Sequence, residues 1–308
     1  MASTATQQHL ASGRGKRDGA FRLKQLSAWI WVAPAILFVL IFLVYPTIET
    51  IWISFFNDDS TSFVGAKNYA QIFTDSASLD LLRNNLLWLV LATAGTVFLG
   101  LLIAMLVDRA RLESVFKSAI FIPMAISFVG ASVIWKFVYD YQPPGQPQIG
   151  LLNAIVTGTG HQPIGWLVNQ PGNNLALIII YIWMWTGFCM VILSAALKGV
   201  PTDILEAARC DGASELTIFF RIIVPVISPT IVVVATTMVI NVLKVFDIVY
   251  TLTGGNFKTN VVAMEYYIQF YSNSNLGRGS ALAVLLLIVI IPVMLINIRR
   301  FRVQEAQR

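Results

Sequence analysis

Few residues in this chain could carry out covalent chemistry. Its two histidines, His9 and His161, lie far apart in separate polar segments, so there is no material for a metal set or a nucleophilic triad. Gly13-Arg14-Gly15-Lys16-Arg17 has a superficial likeness to a phosphate loop. It fails because no Ser or Thr follows the lysine to hold magnesium, the earlier glycine is misplaced and no strand precedes it. Cys189 falls inside an apolar run and Cys210 between two runs, without Cys-x-x-Cys spacing or a plausible disulfide partner. These absences argue against a hydrolytic enzyme. What remains are groups suited to binding. Asn241, Lys244, Asp247 and Tyr250 recur every three residues at the end of a long apolar run. Charges facing lipid are costly, so the strip reads either as the wall of a water-filled path or as a Lys–Asp pair that fixes helix packing. Near an interface Lys244 could also snorkel.

The elements that must position these groups are long and apolar. The 308 residues are 56% hydrophobic and only 12% charged, against roughly 25% charged in a soluble domain. Six stretches (29–48, 86–107, 118–135, 175–197, 222–243 and 280–298) lack Asp, Glu, Lys and Arg. Each has about the 18 or more residues that a helix needs to cross the hydrocarbon layer. Strands of a membrane barrel would instead alternate over about ten residues. The expected class is therefore an all-α membrane protein with six transmembrane helices. Put the N-terminus inside, and fifteen of the 21 Lys and Arg residues fall in inner segments and four in outer ones. Lys136 and Lys244 lie within or at the outer end of a span. That bias predicts N-in and C-in. It also accounts for the basic balance without a nucleic-acid partner, for which no motif is present.

Residues 1–26 resemble the basic region of a signal peptide, but the first apolar run is too long and lacks a cleavage site, so they read as a cytoplasmic basic tail. Residues 27–300 form the six-span domain and 301–308 a cytoplasmic C-terminal tail. The outer segment 49–83 is long and polar enough for a short surface helix, and Gln142-Pro143-Pro144-Gly145-Gln146-Pro147 forbids a continuing helix in the outer loop 140–174. Ala92, Thr96, Gly100 and Ala104 recur every four residues, a stripe that lets another helix approach closely. Trp29, Trp31, Trp88 and Trp135 lie near span ends and read as interface anchors.

Between the fourth and fifth runs, residues 199–225 hold a short helix. Asp203 would cap it, Glu206 would complete a capping-box-like pair, and Gly212 suits a left-handed stop. Ile204, Leu205 and Ala208 give it an apolar face. A helix this short is marginal alone, so it must dock on something.

Glu206-Ala207-Ala208, then Gly212 after three intervening residues, and Ile222-Ile223-Val224-Pro225 after nine more closely resemble the EAA loop of ABC-type importer permeases. Only Val224, in place of Leu, departs from that pattern. Phe246 to Gly255 looks like the turn after the fifth span in carbohydrate-uptake permeases of the maltose type, although Asn256-Phe257 departs from the usual Gly-Gly-x-Pro ending. The stretch from Phe116-Lys117-Ser118 through Gln148-Ile149-Gly150-Leu151-Leu152-Asn153 resembles permeases for α-glucosides and glucosylglycerol. Within these residues there is neither the large outer domain nor the extra N-terminal spans of the maltose permease itself.

The resemblance implies a type I ABC importer permease fold in a multi-pass cell-membrane protein that forms half of a path for an oligosaccharide or α-glucoside. It implies no cofactor in this chain, ATP and magnesium being bound by the ATPase partners. The implied partners are a second permease subunit, two cytoplasmic ATPase subunits and an extracytoplasmic sugar-binding protein. Glu206, Ala207, Ala208, Asp211 and Gly212 would couple to an ATPase. For a sugar path, Tyr181 and Trp185 offer aromatic faces one turn apart, and Asn241, Lys244, Asp247 and Tyr250 offer polar groups. An ABC permease for another small solute, a secondary transporter and a non-transporting scaffold are the competing readings.

Overall fold

A computed structural model describes residues 31–108 and 110–306, with side chains described up to residue 299. The tail 1–26, Trp29 and the last two residues lie outside that set. The described residues are helical apart from loops and one isolated bridge between Phe56 and Phe63. Five helices are long and apolar enough to cross a membrane, and a bent pair makes the sixth candidate.

The first, α1 (Trp31–Ile53), forms a unit by itself, with none of its apolar window buried. A π turn at Leu40–Val44 stands two residues before Pro46. Proline lacks an N–H and its ring crowds the carbonyl four residues back, and a wider turn relieves that conflict. The same arrangement recurs in α9 (Glu215–Leu243), where a π turn at Phe219–Ile223 precedes Pro225.

The second unit begins at Ser54. Its outer segment contains the expected short helix, α2 (Lys67–Thr74), anchored by buried Asn68, whose Nδ2 donates to the carbonyls of Ser54 and Phe56 at 2.9 and 2.8 Å. The core is α3 (Ser76–Val107) against α7 (Gly172–Lys198). Ala92, Thr96, Gly100 and Ala104 are all buried, as their four-residue spacing predicts. A Cβ on Gly100 would stand 2.5 Å from Cys189 Cβ, so the two backbones nearly touch there.

The third apolar run is not straight. Residues Glu113–Ala125 and Phe128–Val138 meet at 101°. α4 (Glu113–Phe121) tightens into a 3₁₀ turn at Ile122–Ala125 containing Pro123, the chain extends through Ile126 and Ser127, and α5 (Phe128–Val138) starts afresh. Ser127 Oγ caps α5 by accepting from Gly130 N at 3.1 Å. Hydropathy is blind to such a break because every residue around it remains apolar or small.

The outer loop is ordered around α6 (Leu151–Gly158). Fully buried Asn153 donates through Nδ2 to the carbonyls of Asp140 and Ile164 and accepts from Ile164 N and Trp166 Nε1. One residue thus satisfies three backbone groups and an indole that the loop would otherwise bury unpaired.

Trp88 is a correction. It is not an interface anchor but a fully buried side chain, edge-on to Tyr181 at 6.0 Å. The fifth run also differs: α9 ends at Leu243 and α10 (Asp247–Leu252) starts separately. α11 (Val262–Tyr267) and α12 (Leu276–Ala306) complete the chain.

Arg278 at the start of α12 donates to Asp75 Oδ2 at 3.1 Å and to Ser78 Oγ at 3.0 Å, tying α12 to the head of α3. The Arg278 hydrogen bond, aided by Ser78, holds the Asp75 carboxyl below its ordinary value of 3.8. A carboxyl depressed on folding stabilises fully above its unfolded value and loses that contribution as pH falls through the folded one. Amide exchange at residues 76–78, corrected for its intrinsic pH dependence, should therefore accelerate only below pH 3.8. Arg278→Gln should abolish that step, and a step of unchanged size in the variant would refute the link.

Candidate functional site

A cavity of about 240 Å³ lies where α5, α7 and the break between α9 and α10 converge. α7 supplies Tyr181 and Trp185, whose rings stack at 6.1 Å and 27°, as their four-residue spacing predicts. The bend in the third run brings Phe128, first residue of α5, against both, at 6.3 Å from Tyr181 and 6.4 Å from Trp185. Tyr181 is 1% exposed and its hydroxyl has no hydrogen-bond partner among the described residues. A buried polar group left unpaired costs about 1–3 kcal/mol, and this hydroxyl is closed to solvent.

Asn241, Lys244 and Asp247 line the same cavity. They do not share one helix face, as the three-residue spacing had suggested. Lys244 caps α9, Phe246 takes an irregular conformation (φ −141°, ψ −59°), and Asp247 opens α10. The break presents a cation and an anion to one space. Among the described residues, Lys244 and Asp247 form no ion pair with each other or with any third group. A packing pair therefore does not explain them. Asn241 Nδ2 donates to Thr237 O at 3.1 Å.

Tyr250 is the exception. It does not line the cavity but stacks on Phe246 at 5.2 Å and meets Tyr267 edge-on at 5.4 Å. The break rotates α10 relative to α9, so a spacing rule that assumes one helix misplaces it. Phe128 and Phe246 are cavity residues that sequence reasoning missed. Pro123 followed by Ser127, a helix-stop and a helix-start residue, was the available signal for Phe128.

The short helix α8 (Thr202–Cys210) follows α7 after three residues. Its start differs from expectation: Pro201 holds the cap position, Asp203 lies in the first turn, and no side chain caps the helix. Proline has no side-chain oxygen, so it cannot accept from the N–H groups of the first turn. Its end is as expected. Gly212 has φ +80°, Ala213 N donates to Ala208 O and Gly212 N to Arg209 O, both at 3.0 Å, the two bonds of a Schellman stop. Arg209 grips Glu215 through Nε and Nη2 at 2.8 and 3.3 Å, joining α8 to the start of α9. Leu205 and Ala208 are half-buried, whereas Glu206, Ala207, Asp211 and Gly212 are exposed together. Leu205 rests on an apolar cavity of about 500 Å³ shared with Met105, Leu197 and Phe219.

Cys189 is buried and Cys210 exposed, both as free thiols. Among the described residues no group of three His, Cys, Asp or Glu side chains could hold a metal ion.

Residues 96–306 match the family model described as "Binding-protein-dependent transport system inner membrane component". The chain is 59% identical to an osmoprotective compounds uptake permease protein of Synechocystis sp., over 91% of this chain and 100% of that protein. It is 47% identical to an alpha-glucoside transport system permease protein of Rhizobium meliloti, over 88% and 81% respectively. Among solved structures, a chain of a bacterial alginate ABC transporter, in complex with an alginate pentasaccharide-bound periplasmic protein, superposes with a TM-score of 0.76. That match has 19% identity and covers 89% of this chain and 93% of the other.

Proposed function

This chain belongs to the family of binding-protein-dependent transport system inner membrane components, and on that premise we propose that it forms half of the membrane path for an oligosaccharide or α-glucoside. It is a multi-pass inner-membrane permease subunit of an ABC importer, and ATP hydrolysis belongs to a separate partner. The aromatic corner of Phe128, Tyr181 and Trp185, facing unpaired Lys244 and Asp247, carries the sugar reading. Apolar ring faces cover the C–H surface of a sugar while polar groups take its hydroxyls. The names of the two permeases reported above, one for osmoprotective compounds and one for alpha-glucosides, support that class of solute.

The rest of the assembly follows from α8. Glu206, Ala207, Ala208, Asp211 and Gly212 form the surface that docks on an ATPase, in which ATP and magnesium are bound. Two ATPase subunits need two docking helices and this chain supplies one, so a second permease with its own loop completes the membrane part. An extracytoplasmic sugar-binding protein delivers the solute. The excess of inner Lys and Arg places both termini and α8 on the cytoplasmic side. A functional importer purified with two copies of this chain and no second permease would refute the pairing.

Thiol accessibility tests the path. With Cys189 and Cys210 replaced by Ser, single cysteines at 241, 244 and 247 should react with a small water-soluble reagent in one conformational state. Sugar should protect them and ATP should change their reactivity. Cysteine at 250 should escape sugar protection, because Tyr250 lies outside the cavity. If none of the first three reacts in any state, the cavity is not on the path. Trp185→Ala should lower sugar uptake about tenfold, the equivalent of one lost aromatic contact of roughly 1.4 kcal/mol.

A further inference from the structure

We propose that Lys198 is the moving cation of a two-position switch at the inner end of α7, held by Glu113 in this structure and transferred to Asp108 when α8 is displaced. Lys198 is the last residue of α7, Glu113 the first of α4, and Asp108 the cap of α3. Three helix ends therefore meet at one ammonium group. Its Nζ lies 2.6 Å from Glu113 Oε1 and 3.8 Å from Asp108 Oδ1. The first is a hydrogen-bonded ion pair and the second is too long for a hydrogen bond.

The unused side is ready to receive it. Asp108 Oδ1 is buried and accepts no hydrogen bond from the described residues, which is a costly state for a carboxylate oxygen. The side that Lys198 would leave stays satisfied. Lys117 Nζ also bonds Glu113 Oε1, at 2.5 Å, and donates to Ser194 Oγ on α7. Ser194 is buried, so Lys117 is pinned between α4 and α7 whichever partner Lys198 takes. Two lysines face two carboxylates, so the cluster carries no net charge in either arrangement. The Lys198 side chain is 52% exposed and free to change rotamer.

The switch is wired to both functional regions. Gly199, Val200 and Pro201 are all that separate Lys198 from α8. α4 lies against α7 so closely that a Cβ on Gly187 would stand 2.5 Å from Ile120 O. Beyond the 101° bend, the same chain segment delivers Phe128 to Tyr181 and Trp185. Passing Lys198 from α4 to α3 would remove one of two ties between α4 and the inner end of α7, with Lys117 on Ser194 keeping the other, so α4 would pivot about Ser194 and shift the segment that carries Phe128. Packed elements with two discrete arrangements transmit motion this way. The inference rests on α8 being the ATPase-docking helix, but the switch itself can be measured without that premise.

A static brace and a switch differ in the sign of two isosteric variants. Glu113→Gln weakens the position occupied in the structure and Asp108→Asn the alternative one. Spin labels on native Cys210, exposed on α8, and on Phe116→Cys, exposed on α4, would report their separation in the complete importer in proteoliposomes without nucleotide. Cys189 is buried and escapes labelling. The population ratio of the two separations should move about fivefold in opposite directions in the two variants. In a Lys198→Gln background, Asp108→Asn should have no further effect, which keeps the test valid if Glu113→Gln does not assemble. Shifts of the same sign, no shift, or an undiminished Asp108→Asn effect without Lys198 would overturn the switch. If the separations shift as stated while ATPase activity is untouched, the switch stands and the docking role of α8 fails.

Discussion

Gly100→Leu should destabilise the protein more than the same substitution at a glycine that faces open space or a flexible side chain. A Cβ at this position meets Cys189 Cβ at 2.5 Å and Met190 N at 2.9 Å. The obstacle includes the backbone of α7, which cannot rotate away as a side-chain tip can. Forcing extra carbons into a packed core costs about 1–3 kcal/mol, and a leucine against backbone belongs at the upper end. At about 2–4 °C per kcal/mol, melting of the detergent-solubilised protein should fall by roughly 5–10 °C, with less chain in the membrane. Gly158→Leu is the control, since a Cβ there meets nothing within 4 Å. Equal melting temperatures for Gly100→Leu and the parent would mean that α3 and α7 are not packed as described.

Gly212→Val should abolish coupling while leaving the spans inserted. Here a Cβ meets nothing within 4 Å, so the effect is conformational and not steric crowding by neighbours. A β-branched residue at φ +80° is strained by about 1–2 kcal/mol. Relief of that strain would break the bonds from Ala213 N to Ala208 O and from Gly212 N to Arg209 O that end α8. Uptake and solute-stimulated ATPase activity should fall together, with melting close to the parent's. Gly212→Asn should restore much of the coupling, because asparagine tolerates the left-handed conformation. Normal coupling in Gly212→Val would rule out a role for this turn in transmitting motion.

Six apolar runs, the excess of positive charge on one side of them and the turn at Gly212 were legible in the residues alone. Each reflects a local property: whether a residue partitions into lipid, or whether it tolerates positive φ. Such terms add along the chain without reference to a neighbour in space. The buried stripe of Ala92, Thr96, Gly100 and Ala104 was legible for the same reason, because four-residue spacing marks one face of a helix whatever it packs against.

Pairing was not legible. That Trp88 is interior and not at an interface depends on Tyr181 of α7 lying beside it. That Tyr250 leaves the cavity while Asp247 enters it depends on a helix break between Leu243 and Asp247, which apolar spacing does not register. Phe128 reaches the cavity because Pro123 and Ser127 end one helix and start another at 101°. The Asp108, Glu113, Lys117 and Lys198 cluster joins residues up to 90 positions apart, whose charges in sequence read only as inner-loop polarity. Residue chemistry by itself determined that this chain spans the membrane and that a short helix between two of its spans stops at Gly212. Tertiary structure decided which polar groups meet, because a charge or hydroxyl in a low-dielectric interior is stabilised only by the specific partner that the fold brings to it.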